Sequence, residues 1–384
     1  MNNIIFLTEN LSPNSHTIDL LDGIHSLYHY PIVINYFETY CEYGRCGLER
    51  SISEKIESSA IDMILINLGT AYIIDPEFIC SISNKYGIKI VVIFPDPEHN
   101  FEDHDRYYAQ CADICWLYAN ATEYLFNLYG YKTFIGQGFS IIRYPLINAE
   151  KKISVSFIGG IDRADRKKYI SFLNEHGVTI ELAGHGTKRG LVSVEEKNKI
   201  ISSSHIHLNF TKVENKRLNI YQRVRQQKGR IIESLLLGTF VLTEYCPGLR
   251  DFFTDTELDI FNSPEELLHK INYYLKNPQT ISDIATRGHK KALYYETSGV
   301  FRRLIERVNC KSVMNKTFIS DNQFNIKYIS TRYYYFSKFI FEFRLNQAVS
   351  EFYSILGSGS ISIKNVFFDI PRGFKHALFK TSKK

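Results

Sequence analysis

The chain alternates short apolar runs with longer segments in which apolar positions recur at helical spacing. In the first 145 residues the apolar runs predict strands and the segments between them predict helices. The predicted strands are NIIFLT, IDMILINLG and KIVVIFPD, and the predicted helices include HTIDLLDGIHSLYH and DPEFICSISNKYG. Such alternation is typical of a parallel sheet with helices on both of its faces.

The alternation stops at RYPLINAEKK, residues 143–152, and then begins again. Strands are predicted at ISVSFIGG, VTIELAGHG and HIHLNF, and helices at RKKYISFLNEHG, SVEEKNKIISSS and SPEELLHKINYYLKNP. We therefore predict an N-terminal α/β domain over residues 1–145, a second α/β domain over residues 146–310 and a C-terminal extension over residues 311–384. Ligands of open α/β sheets bind beyond the carboxyl ends of the strands, so the expected site is a cleft between the two domains.

The composition supports a folded cytoplasmic protein. Apolar residues make up 44% of the 384 residues and charged residues 23%, which is typical of globular domains and not of disordered chains. The seven cysteines have no C-x-x-C or paired zinc spacing, which predicts reduced thiols. The opening MNNIIFLTEN has neither a basic segment nor a long apolar run, so we do not expect secretion.

The positive charge of the chain is concentrated in the C-terminal extension. The net charge is +5 overall, but residues 311–384 contain twelve Lys or Arg and four Asp or Glu. Aromatic residues are interleaved with these cations, a pattern that suits a membrane interface with anionic lipid. Packing on the body of the protein and binding of a partner protein are the alternatives. No nucleic-acid-binding module is recognisable, so we expect no nucleic-acid partner.

The segment KGRIIESLLLGTFVLTEYCPGL, residues 228–249, places charged residues inside an apolar helix-then-strand pattern. Arg230 and Glu233 are three positions apart, so they share one face of the predicted helix. Lys228 and Arg230 could bind a diphosphate there, while Glu233 one turn later accepts hydrogen bonds from ribose hydroxyls.

This segment resembles the nucleotide-sugar motif of group 1 glycosyltransferases, especially their CgeB-like branch. The shared features are a basic residue, an apolar pair, Glu, an apolar run, Gly, a strand and T-E-x-x-P-G-L. Together with SFIGGIDRADRKKYISFL and SSSHIHLNF, the resemblance covers about residues 150–308. It implies the GT-B fold, in which two Rossmann-like domains face a central cleft. It also implies that Glu233 binds ribose and that Lys228 and Arg230 contact the phosphates. Many group 1 enzymes carry a second glutamate eight positions earlier, where this chain has Arg225.

The other donor-binding candidates follow predicted strands. Glycines there allow close backbone approach to a ligand, Arg163 can neutralise a phosphate, and His185 can meet a base or phosphate. Glu244 is predicted to accept a sugar hydroxyl, although a capping role in its loop is an equal alternative. The substrate-binding candidates are Gly159, Gly160, Arg163, His185, Asn209, Lys228, Arg230, Glu233, Glu244, Gly248 and Leu249.

The acidic turn DPEHNFEDHD follows a predicted strand of the first domain and is expected to face the cleft. If the reaction inverts the anomeric centre, a base must remove the acceptor proton, and Asp96 or His99 is the candidate. If the reaction retains it, the phosphates of the leaving nucleotide can take part. Arg230 is the third catalytic candidate, because it can stabilise the departing diphosphate. No metal-ligand spacing is recognisable, so we expect neither a metal nor another cofactor.

The resulting prediction is a glycosyltransferase that moves a sugar from a nucleotide-sugar donor to a glycan, lipid-linked or other surface-polymer acceptor in cell-envelope polysaccharide synthesis. We expect a cytoplasmic location with peripheral contact at the inner face of the membrane through residues 311–384. One alternative is a non-catalytic relative that binds a nucleotide or glycan and docks at a membrane or protein complex. The other is a sugar-nucleotide 2-epimerase.

Overall fold

Two parallel sheets form the framework of the computed structural model, which describes residues 3–28, 31–69, 71–162, 165–213, 225–310 and 315–357. The strands of the first sheet are β1 (Ile4–Thr8), β2 (Ile32–Asn35), β3 (Met63–Asn67), β4 (Lys89–Phe94), β5 (Ile114–Leu117) and β6 (Thr133–Ile135). Those of the second sheet are β7 (Ile153–Ile158), β8 (Ile180–Ala183), β9 (Ser204–Asn209), β10 (Phe240–Glu244) and β11 (Asp259–Phe261).

The strand orders are β2-β1-β3-β4-β5-β6 in the first sheet and β11-β10-β9-β7-β8 in the second. Every strand pair is parallel. The central strands are continuous apolar runs because helices cover both faces of each sheet. The predicted α/β class with two Rossmann-like domains is confirmed.

Helices connect the strands of each domain. In the first domain they are α1 (Thr17–His25), α2 (Tyr36–Ser58), α3 (Pro76–Tyr86), α4 (Pro97–Asn100), α5 (Arg106–Ala109) and α6 (Glu123–Leu128). In the second they are α7 (Arg166–Glu175), α8 (Val194–Ser202), α9 (Arg230–Leu236), α10 (Leu249–Phe252), α11 (Pro264–Lys276) and α12 (Pro278–Ala292). Ser263 caps the start of α11, where its hydroxyl accepts a hydrogen bond from the Glu266 amide at 3.1 Å.

The chain returns to the first domain before the predicted boundary at residue 310. Helix α13 (Thr297–Asn309) packs its apolar face on the first sheet, where Phe301 lies against Trp116 with ring centroids 5.1 Å apart. The predicted second domain, residues 146–310, includes α13, but this helix packs on the first sheet. The amphipathic pattern of a helix shows that one face is buried and does not show which sheet buries it.

The described part of the C-terminal extension also packs on the first domain. It contains α14 (Asn322–Phe341) and α15 (Leu345–Gly357), whose buried residues Phe339 and Ala348 join the apolar core over α2 and α3. The fully buried guanidinium of Arg332 pairs with Glu351 at 3.3 Å. Residues 315–357 thus pack on the body of the protein, which was one of the alternatives for the extension. The rest of the predicted extension, residues 311–314 and 358–384, lies outside the described residues.

Candidate active site

A cavity of about 550 Å³ lies between the two sheets, at the carboxyl ends of their strands. Pro95 and Asp96 reach it from the end of β4, Gly159 from the end of β7, and Gly184 from the end of β8. Of the sequence-predicted site residues, the structure brings seven into this cavity: Asp96, Gly159, Gly160, His185, Lys228, Arg230 and Glu233.

Glu233 is held by two hydrogen-bond donors from different parts of the chain. Lys197 Nζ lies 2.9 Å from Glu233 Oε2, and the Tyr144 hydroxyl donates to Oε1 at 3.2 Å. Burial is the largest single influence and acts to raise the pKa of Glu233, but the Lys197 ammonium, the Arg230 guanidinium and the Tyr144 hydroxyl together hold the pKa below its usual value. Each carboxylate oxygen can accept two hydrogen bonds, and the described residues donate one to each, which leaves a second position for a ligand hydroxyl.

Two further cations, Arg230 and Lys228, line the same cavity as Glu233. The Arg230 guanidinium lies 5.5 Å from the centre of the Phe157 ring, and its Nη1 has no hydrogen-bond partner among the described residues. Burial lowers the pKa of Arg230, and it lowers the pKa of Lys228 to about 8. An anionic ligand would offset this unfavourable desolvation, since it would add negative charge to that of the neighbouring carboxylates.

Glycines in the loops after β7 and β8 allow close contacts with Arg230 and between the two loops. A Cβ on Gly159 would lie 3.0 Å from Arg230 Nη2, and a Cβ on Gly184 would lie 2.6 Å from the carbonyl oxygen of Gly159. The absence of side chains lets these backbone segments approach each other and form one wall of the cavity. The predicted close approach of a ligand to the backbone at Gly159 and Gly160 stays a prediction; the close contacts at Gly159 are with Arg230 and Gly184.

Asp96 connects the two domains on the opposite side of the cavity. Gln226 Nε2 donates hydrogen bonds to the Asp96 carboxylate and, at 3.2 Å, to Glu98 Oε2. Lys228 Nζ in turn donates to Gln226 Oε1. Burial raises the pKa of Glu98 to about 7, and the nearby Asp96 carboxylate adds to this effect. The first domain therefore presents a carboxylate to the cations of the second.

No sequence pattern indicated a site role for two residues that line the cavity, His16 and Tyr118. His16 Nε2 donates to the Gly138 carbonyl oxygen at 2.7 Å, and Nδ1 accepts a hydrogen bond from the Tyr118 hydroxyl at 3.1 Å. Burial lowers the pKa of His16 to about 4, so its imidazole is neutral at pH 7. A histidine at the start of an amphipathic helix is common, and only the tertiary structure shows that it faces the cleft.

Several predicted binding residues are absent from the described cavity lining. Glu244 is 1% exposed, pairs with Arg225 at 2.7 Å and accepts a hydrogen bond from the Thr211 amide, so its expected role as a sugar hydroxyl acceptor is wrong for this arrangement. The buried Asn209 amide donates to the Thr243 hydroxyl at 2.8 Å.

The remaining candidates lie around or outside this region. His185 is at the rim, where its ring pairs with Asp162 at 3.0 Å. His99 lies outside the described lining, and burial lowers its pKa. Gly248 and Leu249 begin α10, where Leu249 is buried in the core of the second domain. Arg163 lies outside the described residues.

Comparisons with known proteins agree with this geometry. Residues 163–302 match a family model described as glycosyl transferase-like. The structure of Anabaena HepE in complex with UDP and glucose is similar to this chain with a TM-score of 0.61 at 14% identity, covering 81% of this chain and 100% of that one. The chain has the fold of GT-B glycosyltransferases, and its residues 163–302 are similar to a glycosyl transferase-like family. Its assignment to the CgeB-like branch stays a prediction.

Other GT-B structures match over similar lengths. Sucrose-phosphate synthase from Thermosynechococcus elongatus gives a TM-score of 0.56 at 10% identity, covering 81% of this chain and 100% of that one. AviGT4, a glycosyltransferase involved in avilamycin A biosynthesis, gives 0.54 at 12% identity, covering 80% and 97%. No curated protein sequence matches the chain. The family match is confined to residues 163–302, whereas the structural likeness covers the fold of both domains.

No group of three or more His, Cys, Asp or Glu side chains in the described part of the GT-B chain is arranged to hold a metal ion. No described helix is long and apolar enough to cross a membrane.

Proposed function

We propose that this GT-B protein transfers a sugar from a nucleoside diphosphate sugar to a hydroxyl group of a glycan or other surface-polymer acceptor. The observation that carries the proposal is the Arg230 side chain, which lines the inter-domain cavity together with Lys228 and Glu233 and whose buried Nη1 has no hydrogen-bond partner among the described residues. Because HepE forms complexes with UDP, UDP-glucose, and UDP with glucose, uridine diphosphate is the first nucleotide to test.

The donor would bind with its two ends on different groups. The diphosphate would lie against Lys228 and Arg230, where charge-assisted hydrogen bonds replace the hydration that these cations lose on burial. The ribose hydroxyls would donate to the two free acceptor positions of Glu233. The Lys197 ammonium favours the ionised, acceptor-only form of that carboxylate.

The transfer step breaks the bond between the anomeric carbon and the diphosphate oxygen, and the electron pair goes to the diphosphate. A new bond forms from the acceptor oxygen to the anomeric carbon, while the acceptor proton goes to Asp96 in an inverting reaction or to the leaving phosphate in a retaining one. Lys228 and Arg230 would stabilise the developing charge, so no bound metal is required by the proposal.

The first experiment is a thermal-shift panel of nucleoside diphosphates and their sugars. A ligand at about 100 times its dissociation constant should stabilise the folded state by about 2.7 kcal/mol. Glu233→Gln should weaken the effect strongly, while Lys270→Met, remote on α11, should leave it unchanged. Absence of stabilisation by every nucleotide in the panel would overturn the proposal.

Turnover distinguishes the proposed transferase from its alternatives. Acceptor-dependent release of nucleoside diphosphate from a bound donor supports glycosyl transfer. Binding without turnover in any acceptor extract would indicate a non-catalytic relative. Conversion of the donor into its 2-epimer without acceptor would indicate an epimerase.

We also propose that the C-terminal extension contacts the inner face of the membrane. An apolar surface of α15 and the preceding turn is solvent-exposed, with Phe343 90% exposed and Leu345 65% exposed. The 27 residues that follow α15 contain six Lys or Arg and one Asp. An apolar surface next to a polybasic segment provides the two signals that stable peripheral binding to anionic lipid requires.

Vesicle sedimentation tests this contact. Phe343→Ser with Leu345→Ser should reduce binding of the full chain to vesicles that contain anionic lipid, and binding to purely zwitterionic vesicles should be weak throughout. Leu128→Ser is the matched control, because Leu128 is 77% exposed on α6 of the first domain. Equal binding of all variants to both kinds of vesicle would contradict the proposal.

A further inference from the structure

Two adjacent residues of the segment between the domains bind opposite domains. Arg143 is anchored to the first domain, where its Nη1 lies 2.6 Å from Asp19 Oδ2 and its Nη2 donates to the Pro13 carbonyl oxygen at 2.8 Å. Asp19 is fully buried, and its other carboxylate oxygen accepts a hydrogen bond from the Ser140 amide at 2.9 Å. The guanidinium of Arg143 is thus fixed relative to the first sheet.

Tyr144, the next residue, is anchored to the second domain at the donor site. Its hydroxyl donates to Glu233 Oε1 at 3.2 Å and accepts from Lys197 Nζ at 3.3 Å, and the Lys197 ammonium also lies 4.7 Å from the centre of the Tyr144 ring. The Tyr144 side chain is buried, and Lys197 bonds the other oxygen of Glu233 at 2.9 Å. Tyr144 and Lys197 together fix the direction of the Glu233 carboxylate.

The backbone at this position is also held by the second domain. Asn198, which follows Lys197 on α8, donates its side-chain amide to the Arg143 carbonyl oxygen at 2.6 Å. The Arg143 side chain and the Arg143 carbonyl therefore bind different domains. Because successive Cα atoms are only about 3.8 Å apart, a rotation of one domain relative to the other displaces the Tyr144 hydroxyl relative to Glu233 or breaks the Arg143–Asp19 contact.

We propose that Tyr144 and Lys197 are positioning residues for Glu233, and that Tyr144 with Arg143 couples donor binding to the arrangement of the two domains. The inference rests on the proposed function, because it requires Glu233 to bind the nucleotide. Ribose hydroxyls bind well only when the carboxylate keeps its direction, and that direction depends on a segment whose other end is fixed to the first domain. Donor binding and the Arg143–Asp19 contact therefore favour each other.

A double-mutant cycle measures this coupling. The dissociation constant of UDP is determined by calorimetry for the wild-type chain, Tyr144→Phe, Asp19→Asn and the double variant. Each single substitution should weaken binding roughly three- to tenfold, and the double variant should bind at least about threefold more tightly than the product of the single effects predicts. A merely structural role for either residue does not produce such non-additivity, because each substitution conserves the shape of its side chain.

The control cycle combines Tyr144→Phe with Asp259→Asn. Asp259 pairs with Lys270 at 2.9 Å in the second domain, away from the described cavity lining, so the effects of this pair should multiply. Small-angle scattering gives a second readout: UDP should make the wild-type chain more compact and should change Tyr144→Phe less. If Asp19→Asn does not fold, Arg143→Lys replaces it in the cycle.

The outcomes separate this inference from the proposed function. Multiplicative effects in the Tyr144–Asp19 cycle, with normal UDP binding by the wild-type chain, overturn the coupling and leave the proposed function standing. Unchanged UDP affinity in Tyr144→Phe overturns the positioning role. A wild-type chain that binds no nucleotide overturns both proposals.

Discussion

Replacing Arg230 by Met is expected to change stability and nucleotide binding in different ways. The partly buried wild-type guanidinium lies over the Phe157 ring, and its buried Nη1 has no hydrogen-bond partner among the described residues. Methionine removes the charge and keeps an unbranched side chain against the same ring. Glu233 loses one nearby cation but retains Lys197 at 2.9 Å and the Tyr144 hydroxyl.

The magnitudes follow from these contacts. A buried polar group without its hydrogen bond costs about 1–3 kcal/mol, and the substitution removes that cost. The lost attraction between Arg230 and Glu233 acts in the opposite direction. We therefore expect the free energy of unfolding of the nucleotide-free protein to stay equal or rise by up to about 2 kcal/mol. Loss of one or two charge-assisted hydrogen bonds to the diphosphate should weaken UDP binding by about 2–4 kcal/mol, roughly thirty- to a thousandfold.

Urea denaturation without nucleotide and calorimetric titration with UDP measure the two quantities. Arg230→Lys is the control, because it keeps the charge but loses the planar fork of the guanidinium, and it should bind UDP with intermediate affinity. The reasoning fails if Arg230→Met lowers the free energy of unfolding by more than about 2 kcal/mol while the dissociation constant of UDP is unchanged.

Three further predictions test single residues. The pKa of His16 is lowered from 6.5 to about 4, so the folded state binds this proton more weakly than the unfolded chain does. The His16 contribution to stability is therefore complete above pH 6.5 and falls by up to about 3 kcal/mol as the pH drops to about 4. Denaturation of wild-type and His16→Gln across this range should show the difference, and equal pH dependence would contradict it. Gly159→Ala should weaken UDP binding at least roughly tenfold by calorimetry, because the new methyl group presses on Arg230; unchanged affinity would contradict the close approach. Glu244→Gln should lower the free energy of unfolding by about 3 kcal/mol, since Arg225 loses its buried partner, yet leave UDP affinity within roughly twofold; a large affinity change would restore Glu244 to the binding site.

The sheets and the phosphate side of the site could be predicted because local patterns determine them. Central strands such as β3 and β4 are uninterrupted apolar runs, which a parallel sheet covered on both faces requires. Gly159 directly follows one predicted strand, and Arg230 with Glu233 shares one face of a predicted helix. Their meeting follows from the parallel topology, which brings all carboxyl ends to one edge.

The partners of Glu233 could not be predicted in the same way. Lys197 belongs to SVEEKNKIISSS, whose charges look like a solvated helix face, and Tyr144 belongs to the predicted break between domains. Their contacts depend on the relative placement of α8, α9 and the linker. Helix α2 has low amphipathicity and a kink at Gly44, where φ is 70°, so its periodic signal is weak.

The misplacement of Glu244 has a different cause. In a strand with one solvated face, alternation of polar and apolar residues shows the direction of each side chain. All five residues of β10 are buried, so the sequence carries no such alternation. The carboxylate follows the strand as expected, but it turns to Arg225 and the Thr211 amide instead of the cavity.

Arg225 occupies the position where many group 1 glycosyltransferases carry a second glutamate, and its contacts give this substitution a consequence for the sugar end of the donor. Arg225 has no carboxylate, and its guanidinium pairs with the buried carboxylate of Glu244. Neither position therefore offers a free carboxylate to the sugar hydroxyls. Apart from the proposed ribose-binding Glu233, the described cavity lining contains the Asp96 carboxylate of the first domain, which is held by Gln226. We therefore expect the first domain to determine much of the sugar specificity, so that discrimination between donor sugars depends on the domain arrangement.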